Sequence, residues 1–227
     1  AEELPEFPID ITDMLTGKLY YPSDSLLPSA EHLSYLKIKA DFAFSTVGEG
    51  KNYYQTTYQN FDGTANHGVK GEFKIIASEY FGEDSIPLPV NFPEGTFGDY
   101  LKSDFLIPAD DSLIQLKARE LTASSTYLWD AIKFLTEFVK DSIEYTITGG
   151  NALDALLTGK GDCGPKALLI SALSRSLGIP TRIIGGLLYY NGSFVQHNWV
   201  ELYVGDNSGW HPVDPTLGET EFFNAGH

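Results

Sequence analysis

Gly159-Lys160-Gly161-Asp162-Cys163-Gly164-Pro165-Lys166, running on through the apolar Ala167 to Leu177 and stopped by Gly178, is the stretch on which the reading of this chain turns. Gly159 and Gly161 allow tight backbone turns ahead of Cys163. Pro165 stands where a first helical turn tolerates proline, and Gly178 supplies a C′ stop. The spacing therefore predicts a helix that opens at Cys163. Unpaired N–H groups at a helix start favour an anion, here a thiolate, and can also stabilise an oxyanion. A lone cysteine is ordinarily a small buried hydrophobe. The polar, turn-like setting of Gly161, Asp162 and Gly164 argues against that reading here.

Downstream, Leu187–Tyr190, Asn191-Gly192 and Phe194–Tyr203 read as strand, turn and strand, with Asn-Gly a strong hairpin signal. On the second strand His197, Trp199 and Glu201 share one face, and Asn198, Val200 and Leu202 the other. After the turn at Gly205–Gly209, Trp210–Asp214 forms a further strand that Pro215 ends. Consecutive antiparallel strands can set His197 beside Asp214, whose carboxylate would fix the imidazole tautomer. Taken singly, His197 also reads as a structural strand histidine and Asp214 as a turn residue before proline. A metal site of Cys163, His197, His211 and Asp214 is weaker. His211 is out of phase with Asp214 on a regular strand and would face away.

Upstream the chain changes character near Tyr100. Residues 1–30 hold Pro5, Pro8, Pro22 and Pro28 and predict an extended arm, with at most a short strand near Gly17–Tyr20. Leu36, Ile38, Ala40, Phe42 and Phe44 alternate with Lys37, Lys39 and Asp41, as in a half-buried strand. A turn at Gly48–Lys51, a strand over Tyr53–Phe61, loops at Asp62-Gly63 and Asn66–Gly68, and a strand from Phe73 to about Tyr80 follow. Ile86–Phe92, with its prolines, predicts an edge or an extended connection. His32 and His67 carry no partner pattern. Pro108-Ala-Asp-Asp-Ser is a helix start. Leu113, Leu116, Ala118 and Leu121 then keep helical spacing, as do Leu128, Ile132, Leu135 and Val139 in the next helix, with Trp129, Phe134 and Phe138 widening the stripe. Gly149-Gly150 breaks the pattern, and Leu153–Leu157 is a short helical turn.

The totals bound the function. The net charge of −16, from 15 basic and 31 acidic side chains, is the wrong sign for a nucleic-acid or anionic-membrane binder. One cysteine excludes an intrachain disulfide and multi-cysteine zinc sites. No apolar run approaches the ~20 residues of a membrane span. A chain starting at Ala1 reads as a processed or trimmed product, and removal of a secretion signal for an extracytoplasmic location is one route to it.

These blocks together resemble the transglutaminase-like superfamily. They are Gly161–Cys163 opening a helix, Leu177–Arg182 at its exit, the His197–Glu201 strand, and Trp210–Thr216, with Ile143–Tyr145 upstream. The resemblance covers about residues 100–216. It implies an α+β fold with a papain-like transglutaminase core, helices packed on an antiparallel sheet. Ahead of it a small all-β domain is expected, giving a β-rich part over 1–99 and a catalytic domain over 100–227. It further implies Cys163 as nucleophile, His197 as general base then acid, and Asp214 as orienter. The backbone N–H of Cys163 is implied as an oxyanion donor and Tyr145 as a second; Trp199 reads equally as cleft or core. The activity implied is acyl transfer or hydrolysis of a protein or peptide substrate through a thioester, without cofactor or metal. Calcium dependence occurs among relatives, but no Asp-x-Asp-x-Asp loop supports it here. A non-catalytic interaction module with an occluded triad is the alternative, and a metal-dependent hydrolase a third reading. The family often continues past the aspartate strand with further sheet strands, so a piece of a longer protein is one reading of this chain. Oligomeric state and substrate identity have no sequence signal.

Overall fold

The structure, a computed structural model, describes residues 20–27, 32–43, 54–65, 68–93 and 95–227. Its packing forms two units. One comprises residues 21–78, 188–194 and 224–227, the other 79–187 and 195–223. The division thus falls at 78/79 rather than at the expected 99/100. Tyr80, Ile86, Leu88 and Val90 explain the difference, because they pack into the helical core of the larger unit. The strand expected over Tyr53–Phe61 starts only at Gln59, and residues 54–58 form no strand. Tyr53, the Gly48–Lys51 turn, Phe44, Asn66 and His67 lie outside the described residues. So does most of the residue 1–30 arm, from which β1 (Tyr20–Pro22) is seen.

The smaller unit is a three-stranded antiparallel sheet of β2 (Tyr35–Ala43), β3 (Gln59–Ala65) and β4 (Gly68–Ile76), in the order β2-β4-β3. The alternation from Leu36 holds, with Leu36 turned in and Lys37, Lys39 and Asp41 exposed. Phe61, Val69, Phe73 and Ile75 complete that core. Asp62-Gly63 is not a loop but the middle of β3. Gly63 pairs with Gly71, and the Phe61 ring lies across both. A Cβ at Gly63 would stand 2.7 Å from the Gly71 Cα and 2.8 Å from that ring, so a glycine in mid-strand reports close packing here. His32 is exposed.

In the larger unit, after the two-residue β5 (Ser78–Glu79), residues 86–92 form an extended connection, bridged at Pro87 to Tyr127. The helices follow: α1 (Gly98–Leu101), α2 (Ser112–Leu121), α3 (Leu128–Ser142), α4 (Ala152–Thr158) and α5 (Cys163–Ser176). The Asp111 side chain caps α2, accepting from the Leu113 and Ile114 N–H groups at 2.8 and 3.3 Å. The buried face of α2 runs through Ile114 and Ala118. Of the expected stripe Ala118 is buried and Leu121 packs on the core, whereas Leu113 and Leu116 are 46% and 59% exposed and Ile114 takes their place. On α3 Trp129 is buried and Phe134, also expected to widen the stripe, is 40% exposed; the expected Leu128, Ile132, Leu135 and Val139 are fully buried. Burial of each such side chain stabilises the fold by about 1.5–3 kcal/mol. α4 opens with a reciprocal Asn151–Asp154 capping box and ends at Gly159, whose φ of +66° suits glycine.

α5 is the central helix, packed by α2, α3 and α4. Its Leu169, Ile170, Ala172 and Leu173 share one core with Val200, Leu202 and Val204 of the sheet. That sheet pairs β6 (Thr181–Tyr190) with β7 (Ser193–Gly205), and β7 with β8 (Gly209–Val213); β9 (Phe222–Phe223) comes last. Asn191 and Gly192 turn the β6–β7 hairpin with φ of 44° and 83°. β6 begins earlier than the expected Leu187. Gly185 and Gly186 lie within it, and the Trp199 ring covers Gly186 so closely that a Cβ would collide with it. Helices against antiparallel strands make this the α+β arrangement expected. Among the described residues no helix is long and apolar enough to cross a membrane.

Candidate active site

Cys163 is the first residue of α5, as its flanking sequence dictates. Asp162 is the N-cap, and its Oδ1 accepts from the Gly164 N–H at 2.9 Å. Burial pushes the Asp162 carboxyl above its ordinary range, against the bonds it accepts from the Gly164 and Thr148 backbones. Gly161 is required by packing, since a Cβ there would stand 2.7 Å from the Pro165 Cβ. The loop and the first helical turn thus hold the half-buried thiol at the helix start.

His197 and Asp214 are buried, at 3% and 0% exposure, and meet at 2.7 Å between Nε2 and Oδ2. The pairing Val200↔Val213 ends β8 one residue before Asp214, which leaves the carboxylate diagonal to His197, on the neighbouring β7. The other carboxylate oxygen, Oδ1, accepts from the Thr216 and Leu217 N–H groups at 2.7 and 3.2 Å. Asp214 is therefore held by its own turn as well as by the ring. Burial works against a charged His197. The Asp214 charge and hydrogen bond, with the Cys163 hydrogen bond and charge, outweigh it and push the ring up to about 10. With Nε2 committed to Asp214, Nδ1 is the ring nitrogen left for the sulfur. The three side chains named from sequence are brought together.

Tyr145 joins them. Its hydroxyl takes a hydrogen bond from the Cys163 backbone N–H. Burial first, then the negative charges of Cys163, Asp162 and Asp214, keep this phenol protonated well above its usual range. Trp199 is buried behind the site. Its ring stacks on His197 at 6.4 Å between centroids and meets Phe223 at 5.8 Å, so the residue backs the imidazole from the core. His211 is turned away, as its register opposite Leu202 requires. It lies against Tyr80 and Trp129 and bonds the Thr220 carbonyl at 2.9 Å, and burial lowers its pKa. It cannot complete the four-residue metal set considered from sequence.

Three features escape sequence reasoning. Asn198 Nδ2 lies 3.8 Å from the Cys163 sulfur. Lys166, one turn into α5, is 3% exposed; its Nζ donates to the Lys140 carbonyl at 3.3 Å. Burial lowers the Lys166 pKa, while the Asp214 charge opposes that. Arg182 Nε donates to the buried Glu201 at 2.6 Å, and its guanidinium lies 4.4 Å from the Trp210 ring. Sequence reading took the strand carboxylate and the helix-exit charge separately. Only the β6–β7 register pairs them.

Residues 115–215 match the family model of the transglutaminase-like superfamily core. No curated protein matches the chain. The fold is similar to that of a candidate cysteine protease from Cytophaga hutchinsonii, at a TM-score of 0.59 and 16% identity over 91% of this chain and 78% of that one. It is also similar to the periplasmic domain of TgpA from Pseudomonas aeruginosa bound to ethylmercury, at a TM-score of 0.52 and 16% identity over 88% and 89% of the two chains. A further structure of that domain gives a TM-score of 0.51 at 15% identity over 92% and 91%. Identities this low speak for the fold alone.

Proposed function

We propose, from the premise that residues 115–215 carry the core of the transglutaminase-like superfamily, that this protein is a cysteine-dependent hydrolase or acyltransferase acting on peptide or amide carbonyls. The observation that carries the reading is the buried imidazole held at 2.7 Å by Asp214 and facing the Cys163 thiol at a helix start. In this mechanism His197 holds the thiol proton and the Cys163 sulfur attacks the carbonyl carbon. The carbonyl electron pair moves onto oxygen. The Cys163 N–H stabilises that oxyanion, and the Tyr145 hydroxyl, which now occupies that N–H, is a second candidate donor. Collapse expels the amine, which takes its proton from the His197 imidazolium, and leaves a thioester. Water or an amine, deprotonated by His197, then attacks the thioester and releases Cys163. Asp214 keeps the ring oriented through both steps, and Trp199 supports it from behind. Nothing in the sequence marks an amine-acceptor site, so water is the favoured acceptor. The residues named carry every proton transfer, so the reaction as written uses no cofactor.

The test compares the protein with its Cys163→Ala variant on a panel of peptides and glutamine amides, with and without an added primary amine. Turnover by the parent alone is expected, and amine incorporation would move the reading from hydrolysis to transfer. Equal behaviour of the two proteins on every substrate would overturn it.

A further inference from the structure

We infer that Asn198 is a further catalytic residue, whose side-chain amide donates a hydrogen bond to the oxyanion formed on the Cys163-bound carbon. The inference rests on the acyl-transfer reading above and adds a residue to it. Successive residues of a strand point to opposite faces, so His197 and Asn198 would not ordinarily serve one atom. Both reach the sulfur here, His197 through its hydrogen bond and Asn198 at 3.8 Å from Nδ2. A sulfur reached from two successive strand positions lies beyond the edge of the strand rather than over either face. That is consistent with β8 covering β7 only from Val200 onward.

The amide is held with its nitrogen toward the sulfur. Its Oδ1 points to Gly185, where a Cβ would stand 3.4 Å away, and its Nδ2 passes Gly164, where a Cβ would stand 3.8 Å away. Both are ordinary contact distances, so the side chain packs against the backbone at these two glycines. The contact to sulfur is long for a hydrogen bond, so Asn198 is a weak partner for the resting thiol. An oxygen on the carbon attached to that sulfur projects beyond it, into the range of about 2.7–3.1 Å wanted of an oxyanion donor. In the attack the S–C bond forms, the carbonyl pair moves to oxygen, and Asn198 donates a hydrogen bond without giving up its proton. The Cys163 N–H, once the Tyr145 hydroxyl gives it up to the oxyanion, supplies a further donor from the helix side.

The experiment compares two reactions at the same sulfur in the whole chain. Acylation by p-nitrophenyl acetate passes through an oxyanion and releases p-nitrophenolate. Alkylation by iodoacetamide displaces iodide with no oxyanion. In Asn198→Ala, and in Asn198→Leu, which keeps the branched outline without a donor, acylation should fall about 100-fold while alkylation stays within about threefold of the parent. Acylation within about threefold of the parent would overturn the assignment. So would a matched fall in both reactions, because that would make Asn198 a positioning or folding residue. The parent reading fails separately, if the unmodified protein acylates no faster than Cys163→Ala. In that event the role of Asn198 falls with it.

Discussion

Replacing Asp214 by Asn should destabilise the protein strongly at mildly acidic and neutral pH and only weakly above the titration of His197. The substitution keeps the outline of the side chain and the Oδ1 acceptor used by the Thr216 and Leu217 N–H groups, and removes the charge on the imidazole. The ring titrates at about 10 against an ordinary value of 6.5. At about 1.4 kcal/mol per pH unit, that interval corresponds to an upper figure of about 5 kcal/mol, shared between Asp214 and Cys163. Breaking a buried pair by removing one partner costs about 3–5 kcal/mol, so a loss of about 3 kcal/mol is expected for Asp214 alone. The sign follows from a folded pKa that lies above the unfolded one. The stabilisation is complete below 6.5 and disappears as pH rises toward 10, where the ring is neutral in both states. Urea unfolding followed by tryptophan fluorescence at about pH 6, 8 and 10.5 measures it in both proteins. The difference should shrink to under about 1 kcal/mol at the highest pH, where only a neutral hydrogen bond separates the two. Lys166 and Tyr145 also face Asp214 and lose its charge in the variant, so the same comparison in a Lys166→Met, Tyr145→Phe background isolates the imidazole. A difference that stays constant across that range would refute the pairing argument, as would one already below about 1 kcal/mol near pH 6.

Three other outcomes follow from the packing. Gly186→Ala drives a Cβ into the Trp199 ring and should lower stability by about 1–3 kcal/mol in a urea titration, with alkylation of Cys163 slowed because Trp199 backs His197. Arg182→Ala leaves the Glu201 carboxylate buried without its guanidinium and should cost about 3–5 kcal/mol; Arg182→Met combined with Glu201→Leu should cost markedly less, as read by thermal unfolding of the three proteins. Asp162→Ala removes the cap from the first turn of α5 and should cost about 0.5–2 kcal/mol, whereas Asp162→Asn or Asp162→Ser should restore most of the loss in the same titration.

The parts of the fold legible in sequence are those where local chemistry and tertiary packing agree. The α3 stripe, the Asp111 cap, the Asn191-Gly192 turn and the Cys163 helix start each follow from rules that span a few residues. Two misreadings in the sheets share one cause. Asp62-Gly63 reads as a loop, and Gly185-Gly186 falls outside the strand expected from Leu187; glycine usually marks flexible backbone. In the fold each pair lies in a strand where an aromatic ring, Phe61 or Trp199, lies over a glycine and leaves no room for a Cβ there. On α2 several apolar residues compete for one face, and only the partner helices decide that Ile114 and Ala118 win it over Leu113 and Leu116.

For the site, sequence by itself determined the chemical types and their order along the chain: a thiol at a helix start, then a strand histidine, then an aspartate at a strand end. Hairpin length and period-two alternation were enough to align the last two, because backbone hydrogen bonding leaves little freedom in register. Only the tertiary structure decided what stands around the sulfur. The approach of the α5 start to β7 brings Asn198 to it, sets Tyr145 on the Cys163 N–H, and buries Lys166 within the field of Asp214. Those contacts join residues distant in the chain, or neighbours that strand geometry assigns to opposite faces. Apart from Tyr145, which the family resemblance already implied at the site, their spacing in sequence carries no trace of them, because the packing of helix against sheet creates them.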